Sequence, residues 1–220
     1  MNKIAIAIDG PAGAGKSTIS KLIAEKMGIE YIDTGAMYRA ITLKLLNRGV
    51  DIKDIQSVKD IVDETKVELM NGRVYLDGVD VSEEIRMPYV SSKVSDVAAI
   101  SCVRERLVYL QREMAKKSSV IMDGRDIGTN VLKDAQIKIF LTASVEERAK
   151  RRFVEMKNKG IDISFEEICN DIRNRDTIDS TREINPLRKA EDAILVDTTG
   201  KTIQEVVDEI ISIIREGANL

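Results

Sequence analysis

The chain has 220 residues and a net charge of −3, from 34 lysines and arginines against 37 aspartates and glutamates. That balance excludes a general nucleic-acid coat, which needs a basic excess, and three Phe, five Tyr and no Trp leave little for bases to stack on. The absence of histidine excludes Ser-His-Asp and Cys-His nucleophile systems and any zinc site built on imidazole.

The length suits one compact domain with small appended lobes. Cys102 and Cys169 lie far apart and match no metal spacing, so they read as reduced core thiols of a cytoplasmic protein. The N-terminal apolar run ends at Asp9, short for a signal peptide, and no stretch approaches the roughly 18 apolar residues of a membrane span. The expectation is a cytoplasmic chain with no membrane partner.

IAIAI (4–8) predicts a buried strand, and Ile19, Leu22, Ile23 and Met27 predict a helix. Between them lies GPAGAGKST, where Gly10, Gly15, Lys16 and Ser17 complete G-x-x-x-x-G-K-[ST]. Strand, loop and helix are the context that this motif requires. Its glycines let successive N–H groups turn into one concavity, to which the helix adds its N-terminal dipole. The loop Gly10, Pro11, Ala12, Gly13, Ala14, Gly15, Lys16, Ser17 and Thr18 is therefore expected to cradle phosphates. Lys16 reaches the β- and γ-phosphates and Ser17 can ligate Mg²⁺.

EYID (30–33) predicts the second strand, and Thr34 can cap the helix that follows. Arg39, one turn in, is either helix surface or a ligand. KVELMNGRVYLDGVDVS (66–82) has apolar residues at period two: Val67, Leu69, Val74, Leu76, Val79 and Val81. Asn71-Gly72 and Asp77-Gly78 suit type I′ turns, so this is an antiparallel meander, either decoration or a substrate lobe. Val103, Leu107, Leu110 and Met114 predict another helix.

SVIMD (119–123) is a third strand, and strand C-termini in open α/β sheets face the ligand crevice. Asp123 is thereby placed as the acidic partner of Mg²⁺. Arg125 and Asp126 form a local ion pair or touch a second substrate. IKIFL (137–141) and ILVD (194–197) complete five apolar runs, the pattern of a parallel sheet covered on both faces. The charged segment 146–189 reads as a solvated face, and Ile203, Val206, Val207, Ile210, Ile211 and Ile214 form one stripe of a C-terminal helix. Alternating strands and helices make the fold class α/β.

A GTPase switch would need a base-reading N-K-x-D. Asn158-Lys159 is followed by Gly-Ile, and DTTG (197–200), which fits D-x-x-G, has no base motif after it. A motor would need more chain. A small kinase is the reading favoured. A kinase for another acceptor, such as a sugar acid, and a nucleotide-dependent switch or binding module without transfer are the alternatives.

GPAGAGKST, DTGAMYR, DGRDIG, KIFLTASVEERAKRR and RNRDTIDSTREINPL, in this order and spacing, resemble the bacterial cytidylate kinases, a branch of the nucleoside monophosphate kinases. The likeness covers essentially the whole chain. It implies a P-loop kinase fold, with a five-stranded parallel sheet, helices on both faces and the meander as a small antiparallel insert. It implies one domain over 1–220, with a monophosphate-binding insert near 34–100 and a lid near 152–178 that includes the Lys159-Gly160 break. The implied reaction moves the γ-phosphate of ATP, with Mg²⁺, to CMP or dCMP, giving ADP and CDP or dCDP, in a monomer.

Residue by residue, the resemblance implies that Arg39, Arg125 and Arg182 hold the acceptor phosphate. Ser95, Arg104 and Asp126 read the cytosine edge. Asp179, with Arg175 nearby, contacts the ribose, and Thr34 lines the acceptor pocket. Arg148 and Arg152 take the positions of an R-x-x-x-R pair that meets ATP, with an extra Arg151 between them. Lys16, Asp123, Arg125 and Arg152 are then the catalytic groups. Surplus arginines and no histidine suit phosphoryl transfer, which needs positioning and charge neutralisation more than proton transfer.

Overall fold

The computed structural model describes residues 3–218. The first elements are β1 (Ala5–Asp9), α1 (Lys16–Met27), β2 (Glu30–Asp33), α2 (Thr34–Asn47) and α3 (Ile55–Glu64). β3 (Val67–Met70), β4 (Arg73–Leu76) and β5 (Val79–Asp80) follow, then the short α4 (Pro88–Ser91) and α5 (Val94–Ala98), and α6 (Ser101–Ala115). The rest is β6 (Val120–Gly124), a π-helical turn at Ile127–Val131, β7 (Ile137–Thr142), α7 (Val145–Asn158), α8 (Phe165–Thr181), β8 (Ile194–Asp197) and α9 (Ile203–Ala218). The chain divides into two compact units, residues 1–31 with 118–220, and residues 32–117.

The first unit is built on a five-stranded sheet of order β2-β6-β1-β7-β8, with β1 parallel to β6 and β7, and β7 parallel to β8. The strand order turns back on itself around β1, and open α/β sheets bind ligands at such a switch point, beyond the strand C-termini. The phosphate loop leaves β1 there. Ile6, Ile8, Ile121, Ile139 and Leu141 of the sheet pack with Ile19 and Ile23 of α1 and with Val206, Val207, Ile210 and Ile214 of α9. Three strands end one residue beyond the apolar runs, because the closing residues Asp9, Gly124 and Thr142 still pair in the sheet. Coverage on both faces holds for β6 and fails at β8, where Ile194 and Leu195 are exposed, since β8 is an edge strand. Ile203 is exposed in the first turn of α9 and drops out of its stripe.

The second unit has its own core, in which Met37, Ile41 and Leu43 of α2 meet Val58 and Val62 of α3, Val74 and Leu76 of β4, and Val103 and Leu107 of α6. The meander is a three-stranded sheet of order β3-β4-β5. Its two turns hold Asn71 and Gly72 at φ 53° and 74°, and Asp77 and Gly78 at φ 51° and 85°, the positive values of type I′ turns. Val79 is exposed, because β5 is a two-residue edge strand. Cys169 is buried and Cys102 half-buried, and both are free.

Gly10, at φ 150°, has no room for a side chain: a Cβ there would lie 2.0 Å from the Leu141 carbonyl oxygen. Gly72 also has positive φ, but open space around it. Gly72→Ala is therefore expected to cost about 1–2 kcal/mol, for backbone strain alone. Gly10→Ala should cost about 3 kcal/mol or more, since the backbone clash is added. Urea unfolding of the two variants measures the difference.

Candidate active site

Local structure at the phosphate loop follows from its glycines. Gly13 and Gly15 take φ 78° and 91°, conformations cheap only for glycine, and Gly15 leads into α1. Lys16, the first residue of α1, is 6% exposed and donates from Nζ to the Pro11 carbonyl at 2.7 Å. Burial pushes its pKa down to about 7, aided by the Arg125 charge and resisted by Asp123, Asp179 and Asp9. Beside it, Ser17 Oγ donates to Asp123 Oδ2 at 2.8 Å, and the Tyr31 hydroxyl donates to Asp123 Oδ1 at 3.0 Å. Sequence reading paired Ser17 with Asp123, and they meet across 106 positions.

Arg125 and Asp126 follow β6 but do not pair with each other. Arg125 Nε donates to Asp179 Oδ2 at 2.7 Å, and Arg182 Nη2 donates to Asp126 Oδ1 at 3.0 Å. Both acidic partners are buried. Burial alone would raise the Asp179 pKa, but Arg125, its hydrogen bond, Arg175 and Arg182 outweigh it and hold the carboxyl below its ordinary value. Four of the expected acceptor residues, Arg125, Asp126, Asp179 and Arg182, thus form two cross-linked ion pairs, with the Arg175 charge acting on the same Asp179.

The segment 146–189 is not simply a solvated face. Arg148 is 4% exposed and fully engaged. It donates from Nε to the Ala143 carbonyl at 3.0 Å, from Nη1 to the Ala12 carbonyl at 2.9 Å, and from both Nη atoms to Asp176 at 3.1 and 2.6 Å. Asp176 and Asp179 stand three apart on α8, on one face, so a single helix turn holds both Arg148 and Arg125. Arg151 donates to the Thr198 hydroxyl at 3.1 Å and its carbonyl at 2.8 Å, and the Thr198 hydroxyl reaches the Ala14 carbonyl at 3.4 Å. Among the described residues Arg152 makes no hydrogen bond or ion pair.

Sequence reasoning missed Asp176 and Thr198. The spacing of Asp176 from Asp179 was available as a signal. Thr198 lies in DTTG, which was weighed only as a switch motif and is instead a brace of the phosphate loop.

Thr34, Arg39, Ser95 and Arg104 belong to the second unit. Thr34 does not cap α2. The cap is Asp33, whose side chain accepts from the Ala36 N–H at 2.8 Å, and Thr34 is the first helical residue, buried. An aspartate one position earlier took the role because its carboxylate reaches the third N–H of the turn. Arg39 projects from α2 to donate to Ser91 Oγ at 2.6 Å. Arg104 of α6 is 2% exposed, donates to the Ala98 carbonyl at 3.2 Å and lies 5.7 Å from the Tyr38 ring centroid. Ser95 is buried in α5.

A glycine loop ending in a buried lysine, a hydroxyl–carboxylate pair beside it and several clamped arginines form a site for phosphate chemistry. The family model described as cytidylate kinase matches residues 6–216. The chain belongs to the cytidylate kinase family. Cytidylate kinase of Caldicellulosiruptor saccharolyticus is 54% identical over 217 residues, covering 97% of this chain and 96% of that protein. Cytidylate kinase of Clostridium botulinum strain Langeland is 52% identical over 215 residues, covering 98% and 99%. A crystal structure of an uncharacterized protein from Eubacterium ventriosum, 16% identical and covering 98% of this chain and 99% of its own, has a TM-score of 0.56, a likeness of fold. The protein is thus a kinase that phosphorylates nucleoside monophosphates. No helix among the described residues is long and apolar enough to cross a membrane.

The three neighbouring arginines of this cytidylate kinase family member differ sharply in stability terms. Arg148→Met strips Asp176 and two carbonyls of their donor and should cost on the order of 3 kcal/mol. Arg152→Met should stay within about 0.5 kcal/mol of the parent. Denaturant melts of both variants check this ordering.

Proposed function

We propose that this kinase transfers the γ-phosphate of ATP to CMP or dCMP, giving ADP and CDP or dCDP. The observation that carries the reading is the cluster around Lys16, with Arg125 and Arg182 each locked by a buried carboxylate. Phosphoryl transfer runs through a loose transition state whose charge must be met by groups already in place. Lys16 meets charge on the β- and γ-phosphates from the loop Gly10–Thr18. Arg152, whose guanidinium no other described residue engages, is the group best supplied to meet the transferring phosphate. Arg148 instead shapes the loop through Ala12. Arg39, Arg125 and Arg182 hold the acceptor phosphate, for which guanidinium forks are well matched.

The Ser17 hydroxyl and Asp123 carboxylate are hard oxygen donors 2.8 Å apart, a set that fits Mg²⁺, which takes few protein ligands and keeps phosphate oxygens and waters. When bound, Mg²⁺ supplies charge neutralisation across the β- and γ-phosphates. The segment 152–178 is proposed as the lid that keeps water from the transferred phosphate. It breaks at Lys159 and Gly160, and α8 restarts under a full capping box of Ser164 and Glu167.

Base choice rests on hydrogen-bond types. Cytosine offers an amino donor and two acceptors, whereas uracil presents an acceptor at position 4 and a donor at N3. A carboxylate only accepts and a guanidinium only donates. Asp126 facing the amino group, with Arg104 at N3 and O2 and Ser95 beside them, leaves every cytosine group matched. Asp179 and Arg175 take the ribose and Thr34 lines the pocket.

A coupled ADP-release assay over CMP, dCMP, UMP and AMP tests the reading. CMP and dCMP should lead, with UMP disfavoured by as much as roughly 10⁴-fold. Asp126→Asn should narrow the CMP-over-UMP ratio of kcat/KM without inverting it, since Arg104 still opposes the uracil N3–H. Equal use of all four acceptors would overturn the assignment.

The low pKa of Lys16 has its own consequence. Near pH 8 the lysine, with a pKa of about 7, is largely neutral, and a bound triphosphate would raise that pKa. ATP binding at that pH should therefore take up close to one proton at Lys16, and the uptake should vanish below about pH 6, where the lysine is already charged. Calorimetry in buffers of different ionisation enthalpy reads it, with Lys16→Met as the reference that removes the lysine's share.

A further inference from the structure

Asp9 closes β1, immediately before the phosphate loop, and is 4% exposed. Its carboxylate accepts two backbone hydrogen bonds, from Ile127 N to Oδ1 at 2.7 Å and from Gly128 N to Oδ2 at 2.8 Å. Those N–H groups open the π-helical turn Ile127–Val131, where no preceding carbonyl is in place to receive them. An aspartate at the N-cap ordinarily serves such groups. The N-cap here is Asp126, and its side chain makes no capping bond. Its Oδ1 takes Arg182 and its Oδ2 takes the Asn130 amide at 3.0 Å.

We propose that Asp9 caps this turn from a neighbouring strand, and that by doing so it holds the Asp126 carboxylate in the acceptor cluster. Asp9 is a positioning residue acting through Asp126. Without it, Asp126, the N-cap residue of the same turn, is the carboxylate that caps of this kind ordinarily use, and it would have to leave Arg182 to serve there. Charge-assisted bonds to two successive amides are strong enough to fix the turn. The glycine at 128 follows from the same geometry: a Cβ there would lie 3.4 Å from Asp9 Oδ2 and 3.1 Å from Lys138 Cδ, so a side chain would push the turn off its cap. β1 pairs with β6 so that Asp9 stands opposite Gly124, three residues before the turn begins at Ile127.

The inference rests on the reading of Asp126 as the group that selects cytosine, and the test separates the two. The CMP-over-UMP ratio of kcat/KM is measured for the parent, Asp9→Asn, Asp126→Asn and the double variant. An asparagine at 9 keeps one acceptor and sets its amide against the second N–H. Asp9→Asn should lower the ratio about tenfold, and in the Asp126→Asn background it should change it less than about twofold, because both act through one carboxylate. An Asp126→Asn variant with the parent ratio would overturn the base reading and the inference with it. If Asp126→Asn lowers the ratio while Asp9→Asn does not, or if the two effects multiply, the base reading stands and the capping role fails. Amide hydrogen exchange on the parent protein decides the matter even if Asp9→Asn does not fold. Ile127 and Gly128 should be protected, and exchange at the rate of open turn amides would overturn the proposal.

Discussion

A buried charge must find a partner, and most of this molecule's first unit is arranged around that constraint. Asp9, Lys16, Asp123, Asp126, Arg148, Asp179 and Arg182 all lie under 10% exposed. An unpaired charge in such a place is prohibitively costly, so each is met by an opposite charge, by backbone groups or, at Asp123, by two side-chain hydroxyls. The pairings span the chain: Arg148 reaches Ala12 and Asp176, Arg125 reaches Asp179, and Arg182 reaches Asp126. α8 is the common rail, holding Arg148 through Asp176 and Arg125 through Asp179.

Such a network is not an efficient way to stabilise a fold, since well-packed apolar residues serve as well or better. Its return is rigidity at defined positions. A phosphoryl-transfer enzyme has little covalent chemistry to perform and depends on charges that need no rearrangement when the phosphate moves. The depressed pKa of Lys16 belongs to the same network, because burial and the nearby Arg125 disfavour its charge more than Asp123, Asp179 and Asp9 restore it. The second unit repeats the principle on a smaller scale, with Arg104 fully buried against the Tyr38 ring and the Ala98 carbonyl.

Legibility in the sequence tracks how local the deciding physics is. The turns at Asn71-Gly72 and Asp77-Gly78 were readable because positive φ is a property of one or two residues. Strand ends were readable to within a residue, but the exposure of Ile194, Leu195 and Val79 was not, since an edge position depends on what lies beside the strand. The charged run 146–189 misled for a related reason. Charge density suggests solvent, whereas Arg148 is buried by partners 28 and 136 positions away.

The sequence by itself determined the phosphate loop, its lysine, the α/β alternation and the family, because glycine conformation, hydrophobic period and motif spacing are written along the chain. It could not choose among Arg148, Arg151 and Arg152, three near-identical side chains within five positions. Tertiary structure set them apart by their partners: two guanidiniums face carbonyls and a carboxylate brought in from other elements, and among the described residues the third does not. It also decided that Asp33 rather than Thr34 caps α2, and that Asp9 rather than Asp126 meets the turn after β6. In each case several residues had suitable chemistry, and only the folded backbone set which of them came within hydrogen-bond distance.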